Sequence, residues 1–278
     1  MNRISTFILT LNEESNIQDC IRSIPESNDI VVLDSFSTDR TVEIAESNGA
    51  RVVQRKFDNW SAHQNWAVQN IEFKNDWVFY LDADERMTPE LWAEVLESVE
   101  EQSREVSAFF CSRTNYFMGK PIPRVYPPVD IVRLFKPTKV RFERLVNPIT
   151  IVDGKIGRLK NRFVHYNFSK GLAEWVDKHN KYSTWEAMEA DKILSNSAEV
   201  EELSLFSRDS GIRRMALKNL SLKLPFRPLF KFAYLYFFRL GFLDGLPGLR
   251  YCTLLMFYEY LIDMKRREIE LNRRGVKL

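Results

Sequence analysis

Over its first hundred residues the chain takes turns between runs that read as buried strands and runs that read as helices. Residues 4–10 form an apolar strand pattern, 16–23 a helical one, 29–34 a second strand, 38–47 a helix closed by Asn48-Gly49, and 50–54 a third strand. A further helix is expected over 61–70, then a continuous apolar strand over 77–81 that stops at Asp82. Thr88-Pro89-Glu90 opens the next helix with a capping threonine, a proline in the first turn and nearby acids. Repeated alternation of this kind predicts an α/β fold, a mostly parallel sheet with helices on both faces. A chain of 278 residues with 45% hydrophobic and 28% charged residues can build such a core, as one large domain or a domain with an appendage.

In parallel sheets, ligands sit at the carboxyl ends of the strands. Polar residues stand there: Asn12-Glu13 after the first strand, Asp34-Ser35 after the second, and Asp82-Ala83-Asp84-Glu85 after the fourth. Two carboxylates two residues apart, where the backbone leaves a sheet, suit a hard divalent cation that also holds a diphosphate. A phosphatase with an aspartyl-phosphate intermediate would want this pattern at its first strand with a nucleophilic role, and here it ends the fourth.

With these residues in place, the sequence resembles the family 2 inverting glycosyltransferases of GT-A fold, in particular the lipopolysaccharide-core and exopolysaccharide sugar transferases. The resemblance rests on Thr10-Leu-Asn-Glu-Glu14, Val31-Val-Leu-Asp-Ser-Phe-Ser-Thr-Asp-Arg-Thr41, Gln64-Asn-Trp-Ala67, Leu81-Asp-Ala-Asp-Glu-Arg86 and Arg133-Leu-Phe135. It continues through Val152-Asp-Gly-Lys-Ile-Gly-Arg-Leu159, Val164-His-Tyr166 and Leu240-Gly-Phe-Leu-Asp-Gly-Leu-Pro-Gly248. It implies that Thr10, Asn12 and Glu13 hold the nucleoside of a UDP-sugar, that Asp34, with Ser35 beside it, reads the uracil edge, and that Gln64, Asn65 and Arg133 line the donor pocket. It further implies that Asp82 and Asp84 bind Mg²⁺ or Mn²⁺, with Asp84 the direct ligand, and that His165 is a further metal or diphosphate contact.

An inverting transfer is one displacement: the metal offsets charge on the leaving UDP and a base takes the proton of the attacking hydroxyl. Related members carry a glutamate as candidate base just before the Asp-Gly turn, but Leu145-Val-Asn-Pro148 places proline there. Three explanations stay open. Another acid (Glu143, Asp130 or Asp153) has taken the role, the acceptor is already ionised as a polyprenyl phosphate would be, or the site binds without turnover. A sugar-nucleotidyltransferase shares the sheet and metal site, but would bring a Gly-rich phosphate loop after the first strand, which Leu11-Asn-Glu-Glu14 is not.

Residues 106–166 read as β-rich, with Pro121, Pro123, Pro127 and Pro128 marking a non-helical loop, and beyond Leu172 the chain turns helical, with 203–224 leading into an aromatic segment. The expected division is a GT-A domain over 1–170 and a helical region over 171–278. Residues 213–278 hold 14 Lys and Arg against 5 Asp and Glu, while the whole chain is only +2. The aromatic and basic stretch 224–243 is too short to span a bilayer, which needs ~20 apolar residues. It suits a helix pair lying on an anionic membrane from about residue 213, and nothing resembles a nucleic-acid recognition fold. Cys20, Cys111 and Cys252 are widely separated, and no signal peptide is read at the start, so the expectation is a cytoplasmic protein, peripheral on the inner face of a bacterial plasma membrane. The expected acceptor is lipid-linked or a growing glycan, and the oligomeric state stays open.

Overall fold

The computed structural model describes residues 4–25, 27–102, 105–144, 148–196 and 224–276, with 213, 216 and 220–222 besides. Most of the expected helical stretch 203–224, and Leu145, Val146 and Asn147 of the proline-bearing loop, lie outside the described residues. The chain forms two compact units: residues 1–121 with 127–169, and residues 122–126 with 170–278.

In the first unit β1 (Ile4–Thr10) is buried along its whole length, because β2 (Ile30–Asp34) and β4 (Trp77–Asp82) flank it in parallel and both faces are covered. With β3 (Arg51–Gln54), β5 (Glu85–Arg86), β6 (Val106–Phe117), β8 (Asp130–Phe135) and β11 (Lys155–His165), the sheet order is β3-β2-β1-β4-β8-β6-β11-β5. A two-residue β7 (Lys120–Pro121) pairs with β6. β8 runs antiparallel to both neighbours and β5 antiparallel to β11; the remaining strands of that order share one direction. Side chains alternate: Phe79 and Leu81 of β4 join one core with Ile4 and Ile8, and Val78 and Tyr80 join the other with Phe7 and Leu9.

Helices α1 (Ile17–Arg22), α2 (Thr41–Ser47), α3 (Trp60–Asn70) and α4 (Pro89–Gln102) connect these strands. Leu91 and Val95 of α4 serve the first core, Ala67 of α3 the second. α2 starts three residues later than the pattern suggests, because Thr38 N donates to Asn12 Oδ1 and Asp39 accepts from the Thr41 N–H. It ends as expected, with Gly49 at φ +82° in the left-handed region that glycine adopts without strain. A separate hairpin, β9 (Val140–Glu143) with β10 (Ile149–Val152), is antiparallel.

Two irregularities set where side chains point. Phe109 pairs with Leu134 and Phe110 with Val132, so Arg133 is the extra residue of a β-bulge in β8. In β11, Arg158 pairs with Phe110 and Arg162 with Ser112, which puts two additional residues into β11 before His165 meets Asn115.

In the second unit, α5 (Gly171–Asn196) packs on α7 (Gly245–Arg273), and a short α6 (Arg227–Ala233) leads through a π-turn, Tyr234–Phe238, and a 3-10 turn, Gly241–Asp244. A Cβ on Gly248 would lie 2.3 Å from the Gly241 carbonyl oxygen, so the turn and α7 meet backbone to backbone. Asp244 Oδ2 accepts from the N–H groups of Arg124 and Val125 at 3.0 and 2.9 Å, which fixes the proline-rich loop.

Candidate active site

Asp34, last residue of β2, is fully buried and ties the first two loops together. Its Oδ1 accepts from Thr10 Oγ1 at 3.0 Å and from the Ser37 hydroxyl. Its Oδ2 accepts from Ser37 N at 2.9 Å and Gln54 Nε2 at 3.1 Å. A carboxylate has about four acceptor positions, so this one is saturated. Asp34 therefore organises the loop, and it would reach a base edge only if Ser37 turned away. Asn12 sits at φ 55° with its N–H on Ser37 Oγ, and Glu13 N donates to Thr41 Oγ1 while its carboxylate accepts from Asn16.

Ser35 Oγ lies 3.3 Å from His63 Nε2, and His63 Nδ1 lies 2.8 Å from the Arg55 guanidinium. Since Arg55 can only donate, Nδ1 accepts and Nε2–H points to Ser35. Burial, then Arg55, push the His63 pKa down, and Arg55 in turn holds Asp58 well below the usual carboxylate range. Gln64 is buried beside it and donates to the Tyr80 hydroxyl at 3.2 Å. Asn65 has both amide ends on Phe142 of β9, N–H to carbonyl and carbonyl to N–H, at 2.8 Å each. Its position clamps the β9–β10 hairpin to α3.

The acids after β4 take different parts. Tyr80 donates to Asp82 Oδ1, and Arg133 Nη2 donates to Asp82 Oδ2 at 2.8 Å and to Glu85 Oε1 at 2.7 Å. Glu85 Oε2 accepts the Asp82 N–H at 2.9 Å. Burial alone would raise the Asp82 carboxyl, but Arg133, Tyr80 and His165 outweigh it and hold it low. Burial pushes Glu85 up to about 8 against the pull of Arg133, and burial with Asp82 pushes Tyr80 well up. Arg133 is 3% exposed, with Nε and Nη1 unbonded, and its guanidinium lies 4.3 Å from the centre of the Tyr80 ring and 5.3 Å from that of Phe163. Those ring faces offset part of its lost hydration.

Asp84 points elsewhere. Its Oδ2 is 3.3 Å from His165 Nε2, and His165 Nδ1 is 2.9 Å from Asn115 Oδ1. The two residues, far apart in sequence, meet because β5 folds back on β11 with His165 opposite Glu85 and Val164 opposite Arg86. The Asn115 oxygen only accepts, so Nδ1 carries hydrogen; Nε2 then either donates to Asp84 as an imidazolium–carboxylate pair or, in the neutral ring, turns its lone pair toward that carboxylate. A proton on Nε2 satisfies the first arrangement, and a bound cation would satisfy the second. Asp82 does not complete it, since both its oxygens are engaged, and among the described residues no three His, Cys, Asp or Glu side chains gather as a metal-holding group. Asp84 and His165 fit Mg²⁺ or Mn²⁺ as a pair whose remaining positions would be filled by diphosphate and water oxygens, as these ions commonly accept.

Register places two of the base candidates away from the Asp84–His165 pair. Asp153 precedes Lys155, which pairs with Val106, whereas His165 pairs with Asn115. Nine residues of β6 separate those rows, about 30 Å at ~3.3 Å per residue, and Asp153 is held low there by Lys139. Asp130 pairs with Ser112, an odd number of residues from Asn115 and so on the other face of the sheet, and its carboxylate is engaged by Ser112 and Arg158. Glu143 is exposed at the end of β9 with Arg141 3.1 Å away.

The family model for glycosyl transferase family 2 matches residues 5–161, more than half of the chain and every strand just described except Ile4 of β1 and the last residues of β11. The chain belongs to glycosyl transferase family 2. A Rickettsia typhi protein described as an uncharacterized glycosyltransferase is 28% identical over 290 residues, covering 99% of this chain and 90% of its own. The lipopolysaccharide core biosynthesis glycosyltransferase LpsC of Rhizobium meliloti is 27% identical over 194 residues, 66% of this chain and 70% of its own. A crystal structure of S. aureus TarS 1-349 in complex with UDP has a TM-score of 0.45 and 16% identity, covering 99% of this chain and 92% of its own.

This family 2 enzyme has the α/β, GT-A architecture expected of it, with C-terminal helices. Tyr80, Asn115, Gln54 and Ser37 belong to the site's inner network without having been singled out from sequence. The signal for Tyr80 was available, since in a strand it shares a face with Asp82.

Proposed function

We propose that this glycosyltransferase moves a sugar from a UDP-sugar, with inversion and with Mg²⁺ or Mn²⁺, to a lipid-linked or polysaccharide acceptor in bacterial cell-surface glycan synthesis. It would act as a peripheral protein on the inner face of the plasma membrane. The observation that carries this reading is the Asp84–His165 pair at the carboxyl ends of β4 and β11. The metal's contribution when bound is to offset charge on the leaving diphosphate. The chain's own part is to hold Asp84 and His165 apart from the Asp82–Arg133–Glu85 network, so that the ligands stay free while the strand end stays rigid. Calorimetric titration of UDP should give binding that requires Mn²⁺ or Mg²⁺, and the product of a UDP-sugar panel should show the opposite anomeric configuration. Binding indifferent to metal would defeat the site assignment.

Asn115 fixes the ring of His165, so Asn115→Ala should weaken metal-dependent UDP binding about 10- to 100-fold with little change in melting temperature. An unchanged affinity would remove Asn115 from that role. For the base, Glu143 is the remaining carboxylate, and an acceptor phosphate is the alternative that needs none. Glu143→Gln should lower turnover about 10²- to 10⁴-fold if Glu143 takes the proton. Undiminished turnover of the variant would favour the ionised acceptor.

A further inference from the structure

The proposed membrane placement does not say which part of the second unit meets lipid, and the basic run at the end of α7 is poorly suited to do so. Lys265 Nζ donates to the carbonyl and side chain of Asn180 and to the hydroxyls of Ser183 and Thr184 on α5. Arg273 pairs with Asp191, Arg266 with Asp263, and Arg267 and Arg274 with Glu270. These cations brace α7 internally and onto α5.

The segment 224–246 is different. Phe226 is 75% exposed and Phe238 80%, and Leu229, Phe230, Phe237 and Leu243 are also more than half exposed. Monomeric proteins rarely leave so many large apolar side chains out along one short stretch without a partner. The backbone departs from regular helix to do it: Phe226 at φ 56° and Leu240 at φ 59° are left-handed without being glycine, and Tyr234–Phe238 is a π-turn. Strain of this sort, of order 1–3 kcal/mol per residue, persists where surrounding structure enforces it and function uses it. No helix among the described residues is long and apolar enough to cross a membrane. The charge around the ridge is net positive. Residues 224–250 carry Arg227, Lys231, Arg239 and Arg250 against Asp244, whose carboxylate is engaged by the Arg124 and Val125 amides; Arg227 and Lys231 share Glu259 of α7 at 2.9 and 3.9 Å, so two cations meet one carboxylate there.

We propose that Phe226, Leu229, Phe230, Phe237, Phe238 and Leu243 form a ridge that enters the interfacial layer of an anionic bilayer, with α7 beyond it standing clear of the lipid. This rests on the peripheral-membrane part of the preceding reading and narrows it to one element. Aromatic and aliphatic side chains at headgroup depth, flanked by cations, are the chemistry that such an interface recognises.

The test is flotation of the full chain with phosphatidylcholine vesicles, with and without phosphatidylglycerol. The wild type should float with the anionic vesicles, and the double variant Phe237→Ser, Phe238→Ser should partition at least about tenfold more weakly. Arg266→Ser with Arg267→Ser should bind as the wild type does. Circular dichroism and metal-dependent UDP binding should be unchanged in both. Retained flotation of the Phe variant, or loss in the Arg variant, would overturn the ridge while leaving peripheral attachment standing. A wild type that floats with neither vesicle would overturn both, as would a dimer in light scattering that the Phe variant dissociates without any vesicle binding. UDP binding is read separately, so none of these outcomes bears on the donor site.

Discussion

Arg133→Met is expected to destabilise the protein by about 3–5 kcal/mol, because it removes the one cation shared by Asp82 and Glu85 and leaves their carboxylates without it. Methionine approximates the length of the arginine stem, so packing beneath Phe163 and Tyr80 changes little and the loss is mainly electrostatic. The pH dependence follows from Glu85, whose folded pKa is already raised to about 8 by burial and would rise further without Arg133. A carboxyl raised in the folded state favours folding while it is protonated, at or below its unfolded value of about 4.3, and that contribution is lost as pH rises through the folded value. Both folded proteins hold that proton until pH passes the wild type's folded value, so the Glu85 part of the variant's deficit should open above about pH 8, measured by urea unfolding from about pH 5 to about pH 10. Adding Glu85→Gln should recover a large part of it at the alkaline end. A deficit independent of pH, with no recovery, would mean that Arg133 acts through packing alone.

Asp84→Asn is expected to lower transfer by about three orders of magnitude or more, since a metal at the diphosphate is worth several kcal/mol in the transition state. Asparagine preserves shape, and the contact that places residue 84 in the fold, its carbonyl accepting Tyr166 N at 2.9 Å, is a backbone one. The melting temperature should therefore stay close to that of the wild type while metal-dependent UDP binding disappears. The contrast with Arg133→Met tests the two acids of the motif separately, Asp84 as the proposed ligand-holding one and Asp82 as part of the architecture. A fully active Asp84→Asn enzyme would refute the metal assignment outright.

The strand and helix order of residues 4–102 was readable because parallel central strands are buried on both faces and so appear as unbroken apolar runs, as β1 and β4 do. Asp84 and His165 were readable as residue types at strand ends. The division of labour between Asp82 and Asp84 was not. It depends on Arg133, which reaches Asp82 from a β-bulge that no local periodicity announces. Asn65 shows the same limit, since a helix-surface amide looks alike whether it faces solvent, a ligand or the backbone of Phe142. Asp153 stood near the other acids in sequence, and only the parallel pairing of β11 with β6 put it at the far end of the sheet.

The two additional residues in β11 between Arg158 and Arg162 act as a phase setter for the whole site. An even insertion keeps every later side chain on its original face while sliding the strand by one pleat, and an odd one would turn His165 away from Asp84. Length variation in this strand is thus quantised. Removing two residues from 159–161 would close the bulge, so that the ladder runs evenly from the Arg158–Phe110 pair to the Arg162–Ser112 pair with His165 still opposite Asn115. The strand could therefore lose a whole pleat there without moving the imidazole that faces Asp84.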